Sequence, residues 1–194
     1  FQAEGGIRSL VRSRGRGDVY KRQCQGTAFG SKLRMHPVSA ILARIQLKGL
    51  DERNAAGNAQ IRRLNDRLLE LPGLTEQYAR PDIDRVYYAN NPMFIDEKKA
   101  GMSRSAAVKA LQAEGVSVSE CTWTLLHTYP VFQEAKWWRH MPVLPEEGSV
   151  PGCDQVNRTA IHLPYWTSDQ PELVEQYVAA FEKVWAHRKE LGKA

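Results

Sequence analysis

Cysteine is scarce in this chain. Cys24, Cys121 and Cys153 stand far apart and are odd in number. They form neither a disulfide framework nor the paired spacing of a zinc site, and they suit a reducing compartment. Apolar runs are short too. None approaches the roughly 18 residues that cross a bilayer, which excludes a helical membrane span. No charged segment followed by an apolar one opens the chain, so no secretory leader is expected and a cytoplasmic protein is. Asn157-Arg158-Thr159 then reads as a chance match to a glycosylation sequon. Histidine is sparse as well. His36, His127, His140, His162 and His187 include no H-x-x-x-H pair and no neighbouring cysteine pair, so no metal site is expected. No serine sits in G-x-S-x-G, and no phosphate-binding glycine loop is present.

What is there first is charge, unevenly placed. The formal net charge is +5. Residues 1–23 hold six basic residues against Glu4 and Asp18, while residues 24–194 hold 21 basic and 20 acidic residues. Basicity is therefore a property of the opening FQAEGGIRSLVRSRGRGDVYKRQ alone. Asp18-Val19-Tyr20-Lys21-Arg22-Gln23 is the translation of GAT GTG TAT AAG AGA CAG, which resembles the transposase-end adapter of sequencing libraries. Gln2-Ala3-Glu4 and Gly6-Ile7-Arg8 resemble a translated flow-cell primer. Residues 1–23 are read as an artefactual leader and set aside. The alternative is a disordered basic arm. Without that stretch, nucleic-acid binding is not expected.

In the rest, 42% hydrophobic and 25% charged residues over the whole chain are ordinary globular composition. Leu47, Leu50, Gly57, Ile61, Leu64, Leu68 and Leu71 recur at helical steps, which predicts one long amphipathic helix over 37–71, kinked at Gly49 or Gly57. Pro37 suits its first turn and Pro72-Gly73 ends it. A small domain follows over 72–194. Arg85 to Ile95 is aromatic and β-branched and reads as a strand, with Pro92 implying an edge or a bulge. Ser103 caps a helix from Arg104 to Glu114 that stops at Gly115. Val116 to Ser119 and Cys121 to Leu126 read as short strands. Residues 129–153 form a long connection with one short helix, in which Trp137-Trp138-Arg139 reads as an aromatic cover for the sheet. Asp154 to Thr159 is a helical turn, Ile161 to Pro164 a strand end, and Glu172 to Leu191 a closing helix. The fold class is α+β: one long helix plus a small mixed or antiparallel sheet covered by helices.

The order of short motifs goes further. Gly30-Ser31-Lys32-Leu33-Arg34-Met35 runs into a helix carrying Ala40, Ala43, Gln46-Leu47 and Leu50-Asp51. This resembles the G-x-N-x-R-M…A-A…Q-L…L-D signature of the DegT/StrS family of pyridoxal-phosphate (PLP) aminotransferases. Arg104 with Leu111 and Gly115-Val116, then His127, Pro130 and Phe132, then Cys153, Arg158 and Leu163-Pro164, follow in family order. The resemblance covers 24–194. It implies the C-terminal portion of a fold-type I enzyme that moves an amino group from glutamate or glutamine to a keto sugar or cyclitol ketone. It also implies a homodimer with the site between subunits. The lysine that forms the Schiff base would lie upstream, so this chain is expected to hold no catalytic residue and to be inactive alone. Lys32, where the family has Asn, and Arg34 are the candidate cofactor-binding residues, near the PLP phosphate. The alternative is a solvated basic pair at a helix entry. His127 is the candidate substrate-binding residue, against a structural histidine. A rival reading is a non-catalytic interaction module docking through the long helix.

Overall fold

The structure is a computed structural model that describes residues 35–83, 85–87, 90–133, 148 and 150–192. Its elements in chain order are α1 (Pro37–Leu47), α2 (Leu50–Leu68), β1 (Leu74–Glu76), β2 (Asn90–Ile95), α3 (Glu97–Ala100), α4 (Arg104–Ala113), β3 (Ser119–Glu120), a 3-10 turn (Leu126–Thr128), α5 (Pro130–Gln133), α6 (Pro151–Thr159), β4 (Ala160–Pro164), α7 (Pro171–Ala186) and α8 (Arg188–Leu191). They fall in two compact units, one made of 35–123 with 152–194, the other taking in 124–151. The architecture is α+β, and every pairing in the sheet is antiparallel, in the order β1-β2-β4-β3.

The long helix is two helices. It breaks at Gly49, not Gly57, and α2 ends at Leu68. Gly73 then turns the chain with φ +84°, where a Cβ would meet the Ala100 nitrogen at 2.5 Å and the Asp96 oxygen at 2.7 Å. Only glycine fits that approach. The stripe predicted along the long helix is buried from Gly57 onward, through Ile61, Leu64 and Leu68, but Leu47 and Leu50 are exposed. In α1 no residue is buried. Val38, Ile41, Leu42 and Ile45, at helical spacing, are each 57–58% exposed.

β2 alternates half-buried and buried, so Asn91, Met93 and Ile95 share the inner face. The register sets Met93 opposite Ile161, Asn91 opposite Leu163 and Ile95 opposite Leu74. Leu74, Met93, Ile95, Ile161 and Leu163 form one core with Leu64 and Leu68 of α2, Ala107, Val108 and Leu111 of α4, and Val174, Val178, Phe181 and Trp185 of α7. The Trp185 indole N–H donates to the Pro72 carbonyl at 2.9 Å, so the largest core side chain has no orphaned donor. Pro92, expected at an edge, lies in an inner strand. The reason is local: β1 pairs only with 93–95, so the side of β2 at Pro92 has no neighbour to receive a hydrogen bond.

Strand lengths differ from expectation. The strand read over 85–95 begins at Asn90, that over 116–119 is only Ser119–Glu120, and 121–125 holds no strand. β1 and α3 carry no periodic signal and were not expected. Ser103 caps α4 as read, accepting from the Ala106 N–H at 3.1 Å. Arg104, the first residue of α4, is an internal brace. Its guanidinium is 11% exposed and donates to the carbonyls of Asn157 at 2.6 Å and Ala160 at 3.2 Å and to the Glu120 carboxylate at 2.8 Å. It ties α4 to β3 and to the junction of α6 with β4.

Truncating the core and truncating α1 should differ. Leu64→Ala is expected to cost about 3–5 kcal/mol in urea unfolding. Ile41→Ala should stay within about 0.5 kcal/mol. Equal losses would place the apolar side of α1 in the core.

Candidate functional site

A cavity of about 670 Å³ opens beside α2, at β1 and the connection leading to β2. Its walls come from polar chemistry that sequence spacing does not announce. Arg62 of α2 holds Glu76 of β1 with two bonds, at 3.0 and 2.9 Å. Asn65, one turn on, donates to Glu76 at 2.8 Å. Burial pushes the Glu76 carboxyl up, but the bonds from Arg62 and Asn65 outweigh it and hold the carboxyl below its usual range. Behind them Asn65 and Asn91, both fully buried, exchange amide bonds at 2.6 and 3.4 Å.

Arg85 forms the opposite wall. Its two terminal nitrogens donate to the main-chain and side-chain oxygens of Gln77 at 2.9 and 3.0 Å. The guanidinium lies 4.3 Å from the centre of the Tyr87 ring, a cation–π contact. Asn58 of α2 donates to the Arg85 carbonyl at 2.7 Å, and Tyr87 stacks on Tyr165 at 6.1 Å. Arg85 and Tyr87 also line an adjoining cavity of about 490 Å³, which reaches Trp123 and Pro92. Trp123 is held from behind. Asn157 accepts from its backbone N–H at 3.0 Å and donates to its carbonyl at 2.7 Å, while the ring sits 5.0 Å from His162.

Three buried polar atoms around these cavities have no partner: Asn58 Oδ1, the Tyr165 hydroxyl and His162 Nε2. Burial also lowers the His162 pKa, so the ring is neutral near pH 7. A concave site with polar and aromatic walls, next to buried polar atoms without partners, has the features of a small-ligand site.

The residues singled out from the sequence are not brought together. Lys32 and Arg34 lie outside the described residues, as do Trp137, Trp138 and Arg139. His127 sits in the 3-10 turn of the other unit, half-buried, and its Nε2 is buried without a partner. Its carbonyl accepts from the Gln133 side chain. Among the described residues no group of three His, Cys, Asp or Glu could hold a metal. The described lysines do not fit a Schiff-base role either. Lys48, Lys98, Lys99, Lys109, Lys183 and Lys189 are all exposed. Lys98 and Lys99 line a third cavity, of about 950 Å³, but Lys99 is paired with Asp96 at 3.7 Å. A Schiff-base amine needs to be deprotonated near neutral pH, which burial promotes and exposure does not.

Asn58, Arg85, Tyr87, Trp123 and Tyr165 were missed by sequence reasoning. One signal was available. A lone glycine inside a helical pattern marks close packing, and Gly57 is such a glycine. A Cβ there would stand 2.6 Å from ring atoms of Tyr165.

The sequence model of the DegT/DnrJ/EryC1/StrS aminotransferase family matches residues 6–182, a span that takes in part of the leader set aside above. The spore coat polysaccharide biosynthesis protein SpsC of Bacillus subtilis (strain 168) is 23% identical over 155 residues, which are 80% of this chain and 38% of that protein. Among solved structures, S. venezuelae DesV in complex with a ketimine intermediate matches with a TM-score of 0.63 at 21% identity, over 78% of this chain and 37% of its own. DesI in the presence of its TDP-sugar product matches at 0.60 and 19% identity, over 82% of this chain and 38% of its own. The chain thus spans about two fifths of the length of the relatives it matches, and the likeness to these structures is one of fold.

Two substitutions test the geometry. Gly57→Ala should lower stability by about 1–3 kcal/mol, although alanine is the better helix former by about 1 kcal/mol. Its loss and that of Tyr165→Ala should not add, because the second removes the clash. Fully additive losses in urea would refute the close approach. Glu76 contributes its full stabilisation above the ordinary glutamate pKa of about 4.3 and loses it as pH falls through the depressed folded-state value. Glu76→Gln should therefore lose less stability than the parent chain between about pH 7 and about pH 3, read from urea midpoints.

Proposed function

Because the chain belongs to the DegT/DnrJ/EryC1/StrS aminotransferase family, we propose that it is the C-terminal portion of an enzyme that transfers an amino group from glutamate or glutamine to a keto sugar or cyclitol ketone. The family match over 6–182 carries this reading. The descriptions of the relatives, one a polysaccharide biosynthesis protein and one solved in the presence of its TDP-sugar product, support the sugar. PLP is the family's cofactor and supplies the electron sink for transamination. Its Schiff-base lysine is assigned to a part of the protein that this chain does not contain, in keeping with the exposure of every described lysine. The 194-residue chain is therefore inactive alone.

Three residues have proposed roles in the whole enzyme. Lys32 neutralises the cofactor phosphate as a point charge, in place of the family's Asn, and Arg34 supports it, both reaching across a homodimer interface. His127 lines the substrate pocket, where its unpartnered Nε2 can hydrogen-bond a hydroxyl of the ketone substrate. The exposed apolar stripe of α1 is covered by the large domain. An 11-residue helix with nothing buried is marginal by itself. The enzyme works in the cytoplasm. Among the described residues no helix is long and apolar enough to cross a membrane. A stand-alone interaction module is not favoured, given the family match.

The test is to amplify outward from the codons for residues 36–70 and express the uninterrupted gene. A strand with Ser-x-x-Lys is expected a few dozen residues upstream of Cys24. The longer protein should retain PLP through gel filtration, seen by visible absorbance, and the 194-residue chain should retain none. An uninterrupted gene without that lysine would defeat the proposal.

A further inference from the structure

The two adjoining cavities at Arg85 carry chemistry that the transaminase reading does not use. Among the described residues lining them, Arg62 is paired with Glu76 and Arg80 with Asp82, while Arg85 touches no carboxylate, although its charge also helps hold the Glu76 carboxyl down. Its position is nevertheless fixed, by two bonds to Gln77 and by the Tyr87 ring. Those bonds occupy two of the five guanidinium N–H donors, so three remain for an acceptor. An immobilised, unpaired arginine loses little conformational freedom when it takes up an anion. Asn58 Oδ1, in the wall of the first cavity, is an acceptor without a donor. Tyr78 is 80% exposed and Trp123 48% exposed, and both line the second cavity. Volumes of about 670 and 490 Å³ lie in the range of small-molecule sites.

These features select a ligand. Arg62 and Arg85 against Glu76 leave one net positive charge at the first cavity, which suits one acidic group better than a diphosphate. Exposed aromatic faces suit the C–H face of a sugar ring. We propose that the adjoining cavities bind an anionic sugar of one or two rings, with its carboxylate or phosphate on Arg85 and a ring face against Trp123. The site stands on its own walls, all within one compact unit, and needs neither PLP nor the rest of the enzyme.

Saturation-transfer NMR on the full 194-residue chain tests this, with glucuronate, glucose 1-phosphate, glucose, UDP and inorganic phosphate as probes. Glucuronate, glucose 1-phosphate or both should bind at least about tenfold more tightly than glucose. The pattern between the two tells carboxylate from phosphate. Arg85→Gln should abolish that preference, with circular dichroism checking that the variant folds. Trp123→Ala, at a half-exposed position, should weaken the sugar acids at least about fivefold, and it decides the matter if Arg85→Gln does not fold. The proposal is overturned if neither sugar acid binds, if glucose binds as well, or if either variant leaves binding unchanged. It is equally overturned if UDP or inorganic phosphate matches glucose 1-phosphate.

Discussion

The reciprocal amide pair of Asn65 and Asn91 is the constraint on which this architecture turns. Both side chains are fully buried, one on α2 and one on the inner face of β2, and they bond each other. An unsatisfied amide there would cost on the order of 1–3 kcal/mol. Only one alignment of helix and strand satisfies both residues, so the pair selects a register where apolar packing alone would tolerate a slide. Asn65 extends the network to Glu76, and Glu76 to Arg62. Pinning α2 to β2 thereby also pins β1 and sets one wall of the cavity at Arg85.

From that anchor the structure divides into a finished side and an unfinished one. Towards the core, α2, α4 and α7 cover Met93, Ile95, Ile161 and Leu163, and even Trp185 satisfies its N–H. Away from it, α1 holds an apolar stripe over which nothing is buried. The chain spans about two fifths of the length of the relatives it matches. The core residues explain why the piece folds, and Asn58, His127, His162 and Tyr165 each keep a buried polar atom without a partner.

Several elements were legible because their signals are local. The Ser103 cap, the glycine stops and the stripe Ile61–Leu64–Leu68 depend on neighbours within one or two turns, and they stand where the sequence put them. Others were not. Leu47 and Leu50 continue the periodic stripe yet are exposed, because periodicity reports a face and not whether anything covers it. Pro92 argued for an edge strand, and the inner strand β2 accommodates it only because β1 is three residues long. Of the site, the sequence pointed to Lys32, Arg34 and His127 through family resemblance. The cluster of Asn58, Arg85, Tyr87, Trp123 and Tyr165 was invisible, since its members are up to 107 positions apart and share no spacing.

By itself, then, the sequence determined the α+β class, the order of the main helices, the caps and the family to which the chain belongs. Those follow from local backbone preferences and from motif order, which a linear chain carries intact. Tertiary structure alone decided how much of the predicted stripe is covered, which strand lies beside which, and which polar atoms are left without partners. Burial and hydrogen-bond satisfaction are properties of neighbours in space. They come into being only when segments such as α2, β2 and β4, distant in sequence, close on one another.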